Sequence, residues 1–200
     1  MSYDSSLITY TVSLHFSDVI NEIIFKTVQD IAELTGDSFK IKNKIPPHLT
    51  IGAFRASKES EEKLIQMIKD FAGNQKACKV VFSELSDFKE KVLFLKPLKD
   101  EYLTELNQNL HKTMLTEFTE GENGYYLPDI WFPHTTLATR LNQRQFEKAV
   151  KLAQQIKLPL QAEIKSLSVY KRSQSVYKNI QTDNHSCLVL INIPFLKPYL

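Results

Sequence analysis

The chain has 200 residues, 42% of them apolar, which is enough to bury the core of one compact domain or of two lobes sharing an interface. Its formal net charge of +2 argues against avid electrostatic binding of long nucleic-acid tracts, so any phosphate site must be local. The longest apolar run is too short to span a bilayer, the N-terminus carries no basic and apolar leader, and the two cysteines lie in strand-like runs. We therefore expect a cytoplasmic protein that binds no membrane.

The first predicted element is a strand over "LITYTVSLHF" (residues 7–16), in which apolar and polar residues alternate. One face carries Ile8, Tyr10, Val12 and Leu14. The other face carries Thr9, Thr11, Ser13 and His15. We interpret this second face as a solvent-exposed sheet surface in preference to the wall of a cleft. An amphipathic helix follows over residues 17–36, with Ser17 as its N-cap and Gly36 at its end.

The next strand-like stretch, "IPPHLTIGAF" (residues 45–54), places a polar pair inside an apolar run. Side chains alternate across a strand, so His48 and Thr50 share one face, with about 7 Å between them. One small anion could contact both groups. Taken alone, the pair is better explained by a hydrogen-bonded interior histidine and an ordinary strand threonine.

The same order of residues returns in "WFPHTTLATRL" (residues 131–141). His134 and Thr136 follow His48 and Thr50 by 86 positions, each pair preceded by a proline. The flanking segments repeat as well, with a predicted helix before and after each motif and two strand-like runs after that. The helices are predicted at 57–73, 99–121 and 142–159, and the strand-like runs at 78–85, 91–97, 163–171 and 187–195. The chain is therefore built from two similar halves.

The two motifs differ in the residues on their C-terminal side. In a continuous second strand Arg140 would share a face with His134 and Thr136, whereas the position 86 residues before it is Phe54. Arg140 could contact the phosphate or base of a substrate, and Phe54 could offer a stacking surface. A solvated strand-end arginine and a core phenylalanine explain the same residues equally well.

Other conspicuous residues receive structural interpretations. Trp131 is interpreted as an anchor in the core or at the rim of a site, and His111 and His185 as surface residues. The segment "GENGYYLPDI" (residues 121–130) is interpreted as a connecting loop that flanks the site, because it lacks the length and setting of a phosphate-cradling loop.

The two motifs "HLTI" and "HTTL", in register with repeated helices and strands over nearly the whole chain, resemble the 2H phosphoesterase superfamily. The similarity is to its LigT-like branch of 2'-5' RNA ligases and cyclic phosphodiesterases. It implies a single α+β domain over residues 1–200, bilobal and pseudo-twofold, in which antiparallel sheets form a central cleft and helices pack outside. We place the halves at 7–97 and 98–200. The resemblance also implies a loop near the cleft after the 163–171 run, which makes Tyr177 a possible substrate contact.

The chemistry explains why two imidazoles suit such a site. Opening a 2',3'-cyclic phosphate needs a base for the attacking water and an acid for the departing ribose oxygen, and histidine can serve as either near neutral pH. Thr50 and Thr136 would donate hydrogen bonds to the non-bridging phosphoryl oxygens. The sequence does not assign the acid and the base, because the assignment depends on substrate orientation.

We therefore predict a metal-independent phosphodiesterase with His48 and His134 as catalytic residues and Thr50 and Thr136 as phosphate-binding residues. The expected substrate is a nucleotide or RNA terminus with a 2',3'-cyclic phosphate or a 2'-5' linkage, and we expect a monomer without a cofactor. Two alternatives remain, namely 2'-5' RNA ligase activity through the same histidine pair and a non-catalytic nucleotide- or RNA-binding protein of the same fold. A metal-dependent hydrolase is disfavoured, because neither motif carries further ligands nearby.

Overall fold

The computed structural model describes residues 6–36, 41, 45–172 and 187–196. Within them the chain forms four α-helices and eight strands, so the predicted α+β class is confirmed. The helices are α1 (Asp18–Thr35), α2 (Glu61–Gly73), α3 (Glu101–Met114) and α4 (Gln143–Ala153). The strands are β1 (Ile8–Phe16), β2 (His48–Ala56), β3 (Cys78–Phe88), β4 (Val92–Pro97), β5 (Thr119–Glu120), β6 (Thr135–Ala138), β7 (Leu160–Arg172) and β8 (Cys187–Pro194). None of these helices is both long and apolar enough to cross a membrane.

Two helix ends show the capping groups of the local sequence. Gly36 adopts the left-handed conformation (φ 78°) after α1 and donates its N–H to the carbonyl of Ala32, as the sequence predicted. Helix α4 begins with a capping box between Asn142 and Gln145. Helix α3 ends at Met114, well before Gly121, so the prediction that α3 extends to that glycine is wrong. Gly121 instead lies against β2, where its N–H donates to the carbonyl of Ala53 at 2.8 Å.

All eight strands belong to one antiparallel sheet, whose main path has the order β5-β2-β1-β7-β3-β4-β6, with β8 paired to β7. Without the short β5, the order is β2-β1-β7-β3-β4-β6. Exchanging β1 with β4, β2 with β6 and β3 with β7 gives the same order read from the other end. A pseudo-twofold axis thus passes between β7 and β3. In this arrangement β4 holds the place in the second half that β1 holds in the first. We therefore place the division of the halves between β3 and β4, a few residues before the predicted position at 97/98.

The two halves exchange strands across this axis. Strand β3 belongs to the first half in sequence, yet its partners are β4 and β7 of the second half. Strand β7 of the second half in turn pairs with β1 and β3 of the first half. The hydrogen-bonded ladder is therefore continuous through the middle of the molecule.

The sheet curls so that strands near its opposite edges meet. Five strand spacings separate β2 from β6 along the sheet order, which would be about 24 Å in a flat sheet. The two strands are nevertheless in contact with each other. The curvature brings the strands of the two motifs together on one side, while α1 packs against α4 and α2 against α3.

Both faces of β1 are buried. Tyr10, Val12 and Leu14 are fully inaccessible on the face that packs into the hydrophobic core. The polar face is almost as inaccessible, with Ser13 at 1% and His15 at 6% exposure. The prediction of a solvent-exposed polar face is therefore wrong, because side chains of the neighbouring strands pack on this face, Thr50 against Ser13 and Tyr170 against His15.

Candidate active site

The two motif histidines make the same main-chain hydrogen bond. His48 Nδ1 lies 2.8 Å from the carbonyl oxygen of Pro46, and His134 Nδ1 lies 2.8 Å from that of Phe132. A carbonyl can only accept a hydrogen bond, so each Nδ1 carries the proton. In the neutral ring the proton is then absent from Nε2, which is the nitrogen that can accept a proton. The 86-residue repeat thus extends to the tautomer of each imidazole.

A hydrogen bond joins the second motif segment directly to the first. The indole Nε1 of Trp131, three residues before His134, donates to the main-chain carbonyl of Thr50 at 3.0 Å. Trp131 is half-buried and packs against the core, which agrees with its interpretation as an anchor. This bond and the contact between β2 and β6 bring the two motif segments to one place.

The loop before the second motif is also fastened to β2. Asn107 of α3 is 1% exposed, and its side-chain amide donates to the carbonyl of Ile51 at 2.8 Å and to that of Tyr126 at 2.9 Å. The hydroxyl of Thr50 shares a hydrogen bond with the Tyr126 phenol and lies 3.2 Å from Ser13 Oγ. Burial raises the pKa of Tyr126, so this phenol stays protonated at neutral pH. The loop was predicted to lie beside the site, but no local pattern singled out Tyr126.

Two buried rings flank His48. The ring centroids of His15 and Tyr170 lie 6.1 Å and 6.0 Å from that of His48. Nδ1 of His15 lies 3.3 Å from the carbonyl oxygen of Pro47, and its Nε2 lies 3.1 Å from the hydroxyl oxygen of Tyr170. Burial lowers the pKa of His15 to about 4, so it is neutral at physiological pH. Sequence spacing could not find these neighbours, because pairing between β1, β2 and β7 brings them together.

Three phenylalanines surround His134 instead. Its ring centroid lies 5.2 Å from Phe88, 5.0 Å from Phe94 and 6.4 Å from Phe132. We call these three residues the aromatic cluster. The cluster brings together the end of β3, the middle of β4 and the segment before β6. Local periodicity missed it because its members come from three separate strands or segments.

The structure corrects the interpretation of Phe54 as a stacking surface. A β-bulge lies at Ile51, because Val12 pairs with Gly52 whereas Ser13 pairs with Thr50. The extra residue reverses the facing of all later residues in β2. Phe54 therefore points into the core with 0% exposure and packs against His111 at 5.2 Å. His111 is itself 3% exposed, so its predicted surface position is also wrong.

The structure also changes the setting of Arg140. Strand β6 ends at Ala138, so Arg140 does not share a strand face with His134. It is exposed in a bend with φ 54°. Contact of Arg140 with a substrate remains a prediction. Tyr177 and His185 lie outside the described residues. No group of three side chains suited to hold a metal ion occurs within the described ranges.

Comparison with known proteins identifies the family. The model of the 2'-5' RNA ligase superfamily matches residues 24–175, most of the chain, which therefore belongs to that superfamily. This confirms the predicted resemblance. No curated protein sequence matches the chain.

Solved structures share the fold. TT0787 of Thermus thermophilus is 13% identical, with a TM-score of 0.63 over 94% of this chain and 97% of that chain. E. coli LigT complexed with 3'-AMP is 12% identical, with a TM-score of 0.55 over 94% and 98% of the two chains. E. coli LigT complexed with ATP is 13% identical, with a TM-score of 0.55 over 96% and 99%.

Proposed function

We propose that this protein is a metal-independent phosphodiesterase that acts on 2',3'-cyclic phosphates or 2'-5'-linked nucleotides through paired histidines. The observation that carries the proposal is the matched state of His48 and His134. Each is tied by Nδ1 to a carbonyl two residues earlier and keeps Nε2 for proton transfer. Such a pair suits a reaction that needs a base on one side of phosphorus and an acid on the other.

In the proposed reaction, one Nε2 takes a proton from water as the water oxygen forms a bond to phosphorus. The bond from phosphorus to a ribose oxygen breaks, and the other Nε2 gives its proton to that oxygen. Thr50 and Thr136 hold the charge on the non-bridging oxygens. Tyr126 and Ser13 support this role for Thr50, because both contact its hydroxyl and fix its position.

The nature of the substrate is supported by family membership and by the crystallisation of E. coli LigT with 3'-AMP and with ATP. We propose a nucleotide or an RNA terminus as the binding partner of a cytoplasmic monomer. Ligation of 2'-5' RNA ends would use the same two histidines, with a ribose hydroxyl in the place of water.

The test is incubation with a panel of 2',3'-cyclic nucleotides and 2'-5'-linked oligonucleotides in excess EDTA, with products separated by chromatography. We expect hydrolysis that falls at least about 10²-fold in His48→Ala and in His134→Ala, the low end for loss of an acid or a base. Thr113→Val, on the exposed side of α3, is the control and keeps full activity. Activity that survives either histidine substitution, or that disappears with EDTA and returns with a divalent ion, contradicts the proposal.

A further inference from the structure

The two halves of the site are related by the pseudo-twofold axis, but they differ in chemistry. In the first half, β1 and β7 place Ser13, His15 and Tyr170 beside the His48 motif. These three side chains are polar, and each is at most 6% exposed. Around His134, the symmetry-related strands β4 and β3 place Phe94 and Phe88 beside the imidazole.

The aromatic cluster presents two of its rings to solvent. Phe88 and Phe132 are each 41% exposed, whereas Phe94 beneath them is fully buried. Their centroids are 5.6 Å apart, and Phe94 supports both at 4.5 Å and 5.8 Å. Lys96 Nζ lies 5.7 Å from the centre of the Phe132 ring and pairs with Glu84 at 3.2 Å. The result is a packed aromatic surface beside His134, with a cation next to it.

We propose that Phe88 and Phe132 form the platform on which the nucleobase of the substrate stacks. This inference rests on the proposed function and adds to it the orientation of the substrate. Each base has a flat π surface, so such a platform binds nucleotides with little preference among bases. The two rings are inclined by 65°, so a base stacked on the face of one ring meets the edge of the other, and neither ring carries a polar group that would require a particular base.

The platform also assigns the two proton-transfer roles. A base stacked on Phe88 and Phe132 places its own ribose on the His134 side of the phosphate. The oxygen that leaves phosphorus belongs to that ribose, so His134 gives it a proton from Nε2. Water attacks from the opposite side and gives its proton to Nε2 of His48. One P–O bond forms and one breaks, while His48 takes up one proton from water and His134 gives one proton to the leaving oxygen.

The first test separates base binding from phosphate chemistry by comparing adenosine 2',3'-cyclic phosphate with 1-O-methylribose 2',3'-cyclic phosphate, which lacks the base. We expect the wild-type protein to prefer the nucleotide in kcat/KM by about 5- to 150-fold, the range for one stacked base. Phe88→Leu and Phe132→Leu keep apolar packing but lose the stacking surface. Each should raise KM for the nucleotide several-fold and lower its kcat/KM by a larger factor than that for the base-free compound, because any effect on the packing of His134 is common to both substrates.

The matched control is Phe146→Leu, the same substitution on α4, which should leave both substrates unaffected. Equal kcat/KM of the wild type for the two compounds, or equal losses for both in the Leu variants, overturns the platform while the proposed function stands. Failure of the wild type to hydrolyse either compound overturns the proposed function and the platform together.

The second test determines the roles from the pH dependence of single variants acting on the nucleotide. His134→Ala retains only the base, so its residual kcat/KM should rise with pH to a plateau. His48→Ala retains only the acid, so its residual kcat/KM should fall as pH rises. The reverse pair of profiles overturns the assignment.

Discussion

The indole of Trp131 donates a hydrogen bond to the main-chain carbonyl of Thr50 at 3.0 Å, so a residue of the second motif segment holds the strand of the first. Trp131 lies three residues before His134, and Thr50 lies two residues after His48. The separation of the two histidines therefore depends on this bond, and its loss should affect catalysis as well as stability.

Trp131→Phe keeps an aromatic ring but removes the donor. We expect the free energy of unfolding in urea to fall by about 1–3 kcal/mol, the cost of leaving the partly buried carbonyl of Thr50 without its donor. We expect kcat/KM to fall at least about tenfold at a temperature where the variant is folded, because misplaced catalytic groups lose rate steeply. The control is Ile68→Val, a substitution on the buried face of α2, which should lose a comparable amount of stability and keep its activity. Equal activity of the two variants would show that the bond does not position the site.

The proposed mechanism predicts a bell-shaped dependence of kcat/KM on pH. The protein is active when one histidine is neutral and the other protonated, so activity should fall both when the pair is fully protonated and when it is fully neutral. The two limbs belong to the coupled pair and not to either histidine alone. The double variant of His48 and His134 should be far less impaired than the product of the single losses, since the two groups act as a unit. Multiplicative losses, or a flat profile, would contradict paired catalysis.

Substitution of either motif threonine should lower the rate without changing its pH dependence. We expect Thr50→Val and Thr136→Val to lose on the order of 10- to 10³-fold in kcat, because a donor to the transition-state charge is removed and no titrating group is lost. Thr113→Val is the control, since its hydroxyl donates to the carbonyl of Asn109 within α3. A shifted pH optimum in either site variant would show that the threonine acts through the protonation of a histidine.

His15 should make stability depend on pH. Its pKa is lowered to about 4 in the folded protein from the ordinary value of 6.5, so the unfolded chain binds the proton more readily. The contribution of neutral His15 to the free energy of unfolding is complete above pH 6.5 and is lost as pH falls from 6.5 towards 4. Between pH 7 and 5 this loss amounts to about 2 kcal/mol. His15→Gln should unfold in urea with a correspondingly smaller change over that interval, whereas an equal change in both proteins would refute the effect.

How far the sequence predicted the site depends on the range of the interactions involved. His48 and Thr50 were placed correctly on one face, because two residues within a strand obey its period. The same rule failed at Phe54, since the bulge is set by pairing with β1 and not by the local sequence. It failed again at Arg140, because β6 has only four residues. The buried neighbours of His48 depend on the pairing of β1 with β2 and β7, which no local pattern encodes.

The exchange of β3 and β7 between the halves makes each half incomplete by itself. A fragment with β1, β2 and β3 alone would leave β3 without a neighbour, because both of its partners lie in the other half. Such a fragment could complete its sheet only by lending β3 to a second copy and borrowing one in return. The present chain thus has the form of a domain-swapped homodimer whose two subunits are joined in one polypeptide, with one motif histidine in each subunit-like half.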